Sequence, residues 1–268
     1  MNKLISEERK KYLKSIKRKK YLILLTQILI LTTFLGIWEW MANKNIIDSF
    51  ITSQPSRIFD TFMNLSSNDL LKHIGVTVYE TIVGFLLGTI LGIIIAIILW
   101  WSDFLSKVAE PYLVVLNSLP KVALGPIIII WVGAGTPAII VMAIAISLIV
   151  TILENLNGFM RTDKEVIKMA KTFQASKWQI LTKIVIPANL STFINSLKVN
   201  IGLSLVGVIS GEFLVSKAGL GYLIVYGGQV FKLDLVMTSV IILGIVAGLM
   251  YTAVLLLEKC ILHSKKFK

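Results

Sequence analysis

The sequence predicts an all-α, polytopic membrane helix bundle of about six transmembrane helices, with both termini in the cytoplasm. Three observations predict it. The 268-residue chain is 56% hydrophobic and only 16% charged, against the roughly 25% charge of a soluble domain. Its mean hydropathy is +0.81, and it offers several runs near the ~20 apolar residues that cross a hydrocarbon core. Its Lys and Arg are unevenly spread, with twenty on the proposed inner segments and five on the outer ones, the asymmetry that orients membrane helices. Two inner termini require an even number of spans, and six satisfies both counts.

Residues 1–20 form a cationic tail with nine Lys and Arg, expected to lie in the cytoplasm near anionic head groups. The apolar run from Tyr21 to Trp38 is long for the core of a cleaved leader, and it ends in Trp38-Glu39-Trp40 rather than a small-x-small cleavage site. It reads as an uncleaved anchor helix over 21–42, with Trp38 and Trp40 at the interface. Residues 43–75 are mixed and polar, an extracytoplasmic segment. Ile58, Phe59, Phe62 and Met63 give part of it an amphipathic helix lying along the surface.

The second helix runs 76–101. Gly84, Gly88 and Gly92 recur every four residues on one face, a small-residue stripe that lets another helix approach closely. Asp103 and Lys107 mark a short inner loop. The third helix is broken around Asn117-Ser118-Leu119-Pro120-Lys121, because Pro120 and Pro126 both disturb the hydrogen-bond ladder. Membrane helices tolerate this where neighbouring protein or a cavity satisfies the freed groups. Lys121 is expected to snorkel toward the interface. Gly133-Ala134-Gly135-Thr136-Pro137 is a tight outer turn, and the fourth helix runs 137–156. The fifth runs 188–215, residues 217–222 open a second extracytoplasmic segment, and the sixth runs 234–258. Residues 261–268 are a basic tail.

The inner loop at 157–187 has helical architecture of its own. Thr162-Asp163-Lys164-Glu165 has the form of a capping box, opening a helix with Val166, Met169, Ala170 and Phe173 on one face. Ser176-Lys177-Trp178-Gln179 is a second such box, opening a helix with Ile180, Leu181, Ile184 and Val185. Pro187 ends that pattern and can stand in the first turn of the fifth helix. The loop is thus two short helices joined by a bend near Gln174. Its apolar face could rest on lipid or fill a groove on a soluble partner, and periodicity does not separate the two.

This loop resembles the cytoplasmic coupling loop of ABC-importer permeases, whose pattern is Glu-Ala-Ala, three residues, Gly, nine residues, Ile-x-Leu-Pro. Aligned on Pro187, the matching stretches are Lys168-Met169-Ala170, Gln174 and Ile184-Val185-Ile186-Pro187. Lys168, Met169 and Gln174 depart from the pattern. Gln174 replaces a glycine, where a left-handed bend costs other residues ~1–2 kcal/mol. Other stretches are similar to the nitrate/sulfonate/taurine branch: Ser118-Leu119-Pro120, Trp131-Val132-Gly133-Ala134-Gly135, Gln174-Ala175-Ser176-Lys177-Trp178, and Gly211-Glu212-Phe213 followed by Gly219-Leu220-Gly221-Tyr222. The resemblance implies a permease core at 76–260. It implies a second permease copy (homodimer or heterodimer), a cytoplasmic ATPase and an extracytoplasmic solute-binding protein as partners. The ATPase would dock on Lys168, Met169, Ala170, Phe173, Gln174 and Ala175, with Ile184 and Pro187 closing the loop. On this reading Ala170→Asp abolishes transport and leaves the subunit in the membrane.

In the fifth helix Ser196, Asn200, Ser204, Gly207 and Gly211 make one small, polar stripe, the expected wall of a solute pathway, with Glu212 beside it in a gating or structural role. No phosphate-binding Gly-x-x-x-x-Gly-Lys-Ser/Thr loop is present, so ATP hydrolysis is expected in a separate polypeptide and the chain itself is no enzyme. The net charge of +12 serves topology; no recognisable nucleic-acid module accompanies it. Cys260 is the only cysteine, and His73 and His263 lack ligand spacing; no metal or other cofactor is expected. An ATPase-independent secondary transporter is the alternative, although no convincing internal repeat supports it.

Overall fold

The computed structural model describes residues 7–66 and 69–265, and their regular structure is helical throughout. The chain forms two compact units that meet in sequence at Asn64 and Leu65. The outer parts of both basic tails, 1–6 and 266–268, lie outside the described residues.

The first unit holds α1 (Glu7–Asn43), α2 (Ser49–Thr52) and most of α3 (Pro55–Ser66). α1 begins at Glu7 rather than at residue 21, so the described part of the basic tail is helical. No Gly or Pro interrupts residues 7–35, and Lys, Arg, Glu and Leu are all strong helix formers. At 1.5 Å per residue α1 is ~55 Å long, so its charged turns extend beyond a ~30 Å hydrocarbon core. α3 is the amphipathic helix expected: Ile58 is buried, whereas Phe59 and Met63 are exposed. Its first turn is held by Glu39 of α1. The Glu39 carboxylate accepts from the Ser56 backbone N–H at 3.1 Å and from the Ser56 hydroxyl at 2.9 Å, which satisfies one of the donors a helix start leaves open.

The second unit is built on α4 (Leu70–Trp101), α7 (Thr136–Met160) and α11 (Leu190–Val215), with α7 packed between the other two. The glycine stripe of α4 makes the first seam. A methyl group added at Gly84 would stand 2.5 Å from Ala143 Cβ, at Gly92 2.6 Å from Thr151 Cβ, and at Gly88 it would strike the Ser147 hydroxyl. α4 starts at Leu70 rather than residue 76. Leu70 is buried with Leu220 and Leu223, and this packing extends the helix through the polar Lys72 and His73.

α5 (Asp103–Ser118), a 3₁₀ turn (Lys121–Leu124) and α6 (Gly125–Val132) follow. The break at Leu119 and Pro120 is sharp: the two halves meet at 89°. Among the described residues five helices are long and apolar enough to cross a membrane, and six spans result if the bent pair counts as one. Pro126 stands in the first turn of α6, where its missing N–H costs nothing. The Lys121 ammonium donates to the Asn117 carbonyl at 3.0 Å, satisfying an orphan acceptor at the end of α5. Gly133 and Gly135, at φ 91° and 114°, turn the chain into α7.

After α11 the chain does not run out along the surface. α12 (Leu220–Gln229) folds back against α4, α11 and α13 (Leu233–Lys265). α13 is tied to α11 by a half-buried ion pair between Lys198 and Glu258 at 2.7 Å.

Candidate functional site

The segment between α7 and α11 is a folded hairpin: α8 (Lys164–Thr172), α9 (Lys177–Ile180), a π-helical turn (Leu181–Val185) and α10 (Ile186–Ala188). Asp163, not Thr162, caps α8, its carboxylate accepting from the Glu165 N–H at 2.8 Å. Thr162 is used elsewhere: its hydroxyl accepts from the Asn189 amide at 2.8 Å and links the two feet of the hairpin. The second capping box is present as expected. Ser176 Oγ accepts from the Gln179 N–H, and the Gln179 side chain accepts from the Ser176 N–H at 2.8 Å.

The bend falls at Gln174, which has φ 57°. Gln174 N–H donates to the Lys171 carbonyl and Ala175 N–H to the Ala170 carbonyl. This is the paired C-terminal closure that favours glycine at the left-handed position. Gln174→Gly should therefore raise the hairpin's local stability by about 1 kcal/mol. Slower amide exchange across residues 164–180 would register it; exchange unchanged or faster would contradict the strain.

The apolar residues of α8 divide between two faces. Ala170 is buried, together with Ile180, Leu181 and Val185 of the following turns, in one core with Ala96 and Leu99 of α4, Leu113 of α5, and Ile152, Leu156 and Phe159 of α7. Ala175 and Ile184 are half-buried against the same core, and Pro187 is exposed. The other face looks outward: Phe173 is 78% and Met169 56% exposed, flanked by exposed Lys168 and Gln174. Ala170 thus stands inside the hairpin rather than on its open face, since the small side chain lets α8 lie close to that core. An aspartate there would bury a charge and break the hairpin, so Ala170→Asp does not isolate docking.

Lys177 braces the hairpin. Its ammonium donates to the Trp101 carbonyl at the end of α4 and lies 5.8 Å from the centre of the Trp101 ring. Trp178 meets the same ring at 6.3 Å. Beside the hairpin feet a polar cleft of about 540 Å³ opens between α7 and α11, lined by Glu154, Asn157, Arg161, Asn189, Thr192 and Asn195 among others. Sequence reasoning passed over it, although the spacing of Glu154, Asn157 and Arg161 on α7 was readable.

The stripe on α11 is not an open wall. Ser196, Asn200, Ser204, Gly207, Gly211 and Glu212 are all buried. Ser196 accepts from Asn155 at 3.2 Å, and Asn200 donates to Thr151 Oγ1. A methyl group at Gly207 or Gly211 would meet the α7 backbone. Small and polar residues recur there because α7 approaches closely, the same cause as on α4.

Glu212 closes a cluster at the start of α12. Its carboxylate accepts from the Thr77 hydroxyl at 2.6 Å and from the Gly221 N–H. Thr77 in turn accepts from the Leu220 N–H at 2.8 Å, and His73 Nδ1 from the Gly219 N–H at 3.0 Å. Three side chains from α4 and α11 thus satisfy the first donors of α12, with the carboxylate at the positive end of its dipole. Gly219 is at φ 119° against that carboxylate, where a Cβ would overlap Glu212. Glu212 thus ties α11 to α4 and to the start of α12. Thr77 and Glu80 were missed, although Glu80 carries the signal that singled out Glu212: an ionisable residue at membrane depth.

Residues 88–263 match the family model described as the inner membrane component of binding-protein-dependent transport systems. A Haemophilus influenzae protein named as a probable ABC transporter permease is 29% identical over 231 residues, covering 86% of this chain and 94% of its own. A Bacillus subtilis transport permease named for aliphatic sulfonates is 25% identical over 236 residues, covering 88% and 86%. Among solved structures, a bacterial ABC transporter that imports the acidic polysaccharide alginate aligns with a TM-score of 0.65 at 18% identity, over 94% of this chain and 99% of that one.

Proposed function

Because the chain belongs to the family of inner membrane components of binding-protein-dependent transport systems, we propose that this multi-pass cell-membrane protein carries a small solute inward under the drive of a separate ATPase subunit. The solute is of the sulfonate, taurine or nitrate type or a vitamin precursor, and an extracytoplasmic binding protein delivers it. A second permease copy completes the pathway. Both termini and the 162–188 hairpin lie in the cytoplasm, following the Lys and Arg asymmetry.

The observation that carries this reading is the hairpin's two-sidedness. One face is locked into the core with α4, α5 and α7, and the other presents Met169 and Phe173 unpartnered. Apolar anchors on a braced helix suit a groove on a soluble partner. A secondary transporter has no use for such a device. The cleft between Glu154 and Asn195 supports an inner mouth for the pathway between α7 and α11.

Affinity purification of the full chain from its native host in mild detergent should bring down an ABC ATPase and a permease partner. Solute uptake by the purified chain alone, in liposomes lacking any ATPase, would overturn the reading. Sidedness has its own check. With Cys260 changed to serine, Lys168→Cys should react with an impermeant maleimide only after permeabilisation, and Lys44→Cys should react in intact cells. The reverse pattern contradicts the orientation.

A further inference from the structure

At the hairpin end of α4 the chain turns into α5, and a cavity of about 190 Å³ lies between that turn, the end of α7 and α8. Three lysines line it, Lys164 and Lys171 of α8 and Lys177 of α9, against the single carboxylate of Asp103. Lys177 already gives one hydrogen bond to the Trp101 carbonyl. Lys164 and Lys171 are exposed, and their ammonium groups have no ion pair or hydrogen bond among the described residues. Trp100, Phe159, Ile167 and Ile180 supply an apolar wall, so positive charge is gathered beside a greasy surface.

The direction of these lysines carries the argument. Lys164 and Lys171 are seven residues apart and share one side of α8. Met169 lies about 150° around the helix from them and is exposed. A helix that rests on a bilayer turns its apolar side to the lipid. α8 is the reverse: its lysines face the corner where α4 ends and α5 begins, and Met169 faces away. That corner is where these two helices leave the hydrocarbon. α4 ends in Trp100 and Trp101, residues suited to the head-group level, and Trp178 of α9 meets the Trp101 ring. The phosphates of the adjoining leaflet therefore stand within reach of the lysines.

We infer that this cavity binds the phosphate group of an anionic phospholipid from the inner leaflet. The Lys164 and Lys171 ammonium groups pair with the phosphate oxygens, Lys177 adds positive charge from the Trp101 side, and an acyl chain follows the apolar wall past Trp100 into the bilayer. Three lysines against one aspartate leave a net positive charge, which favours an anionic lipid over a choline lipid carrying its own ammonium. A bound lipid ties α8 to the α4–α5 corner from the side opposite Met169. The site needs the hairpin at the inner surface but no ATPase. Failure to recover an ATPase would leave it standing, and the maleimide labelling tests the sidedness separately.

The test follows thermal unfolding of the full, delipidated chain in a neutral detergent during titration with dioctanoyl phosphatidylglycerol, dioctanoyl phosphatidylcholine or sodium phosphate. Lys164→Gln with Lys171→Gln is compared with Lys168→Gln with Lys183→Gln, which removes equal charge from the hairpin outside the cavity lining. The wild type and the second pair should gain a saturable rise of about 3 °C or more with phosphatidylglycerol, well above the rise with phosphatidylcholine, and the first pair should lose most of it. Equal rises in the two double variants, or with the two lipids, would overturn the site. A rise of the same size with sodium phosphate shows an anion site without lipid and overturns the lipid assignment. Should the first pair fail to fold, Lys164→Gln and Lys171→Gln decide singly. Each should raise the half-saturating concentration about threefold or more, and unchanged values overturn the site.

Discussion

Gly207→Leu is expected to leave little or no correctly folded chain. A Cβ at this position would stand 2.5 Å from Ala143 Cα, 3.0 Å from its nitrogen and 3.1 Å from the Met142 carbonyl. All three are backbone atoms of α7, so no rotamer change relieves the clash. α11 must back away from α7, which opens the polar contacts of Asn155 with Ser196 and Thr151 with Asn200. The loss should exceed the ~1–3 kcal/mol of ordinary overpacking and take most of a typical ~5–15 kcal/mol stability. Gly202 supplies the control: it lies on the same helix, and a Cβ there meets nothing within 4 Å. Gly202→Leu should be neutral or slightly stabilising, by up to ~1 kcal/mol, through helix propensity. Size-exclusion profiles in detergent compare the two, and equal monodisperse yields would show that the seam is not close-packed.

Replacing Phe173 and Met169 together by aspartate should abolish ATP-driven uptake while the subunit remains folded in the membrane. Met169, on the outer face of α8, and Phe173, at its C-cap, both lie outside the core beneath it. The monomer's stability should therefore change by no more than about 0.5 kcal/mol. Apolar anchors of this kind commonly carry 2 kcal/mol or more at an interface, so the exchange weakens docking at least about 30-fold. Ala170→Asp is the opposite case, because its damage falls on the hairpin itself. The decisive comparison is unfolding temperature against ATPase recovery on the purified subunit. Aspartate at 169 and 173 should lower only the second, and full retention of the partner removes the outer face from the docking surface.

The helices were legible where hydropathy is a local property. α7 and α13 fall within a few residues of the predicted spans at one end or both, and the α4 stripe at Gly84, Gly88 and Gly92 packs as its spacing indicates. The hairpin's bend at Gln174 and its Ser176 cap were likewise readable, since both depend on neighbours in sequence. Errors arose where a distant segment decides the outcome. The face of α8 on which Ala170 lies depends on Phe159, Leu181 and Val185, which helical periodicity does not rank. The α11 stripe was assigned to a cavity because small polar residues suit either water or a close helix. Only the position of α7 tells the two apart. The fold-back of α12 depends on Glu212 and Thr77, 135 positions apart in sequence.

The 89° elbow between α5 and α6 has a mechanical consequence. α4, α7 and α11 interlock through glycines on both sides of α7, and the hairpin shares their core, so a push on α8 reaches all three with little slack. Compliance must then sit where the helical ladder is interrupted. The short stretch from Leu119 through Lys121 is such a place: a few dihedrals there can change the tilt of α6 while the stiff trio travels as one piece.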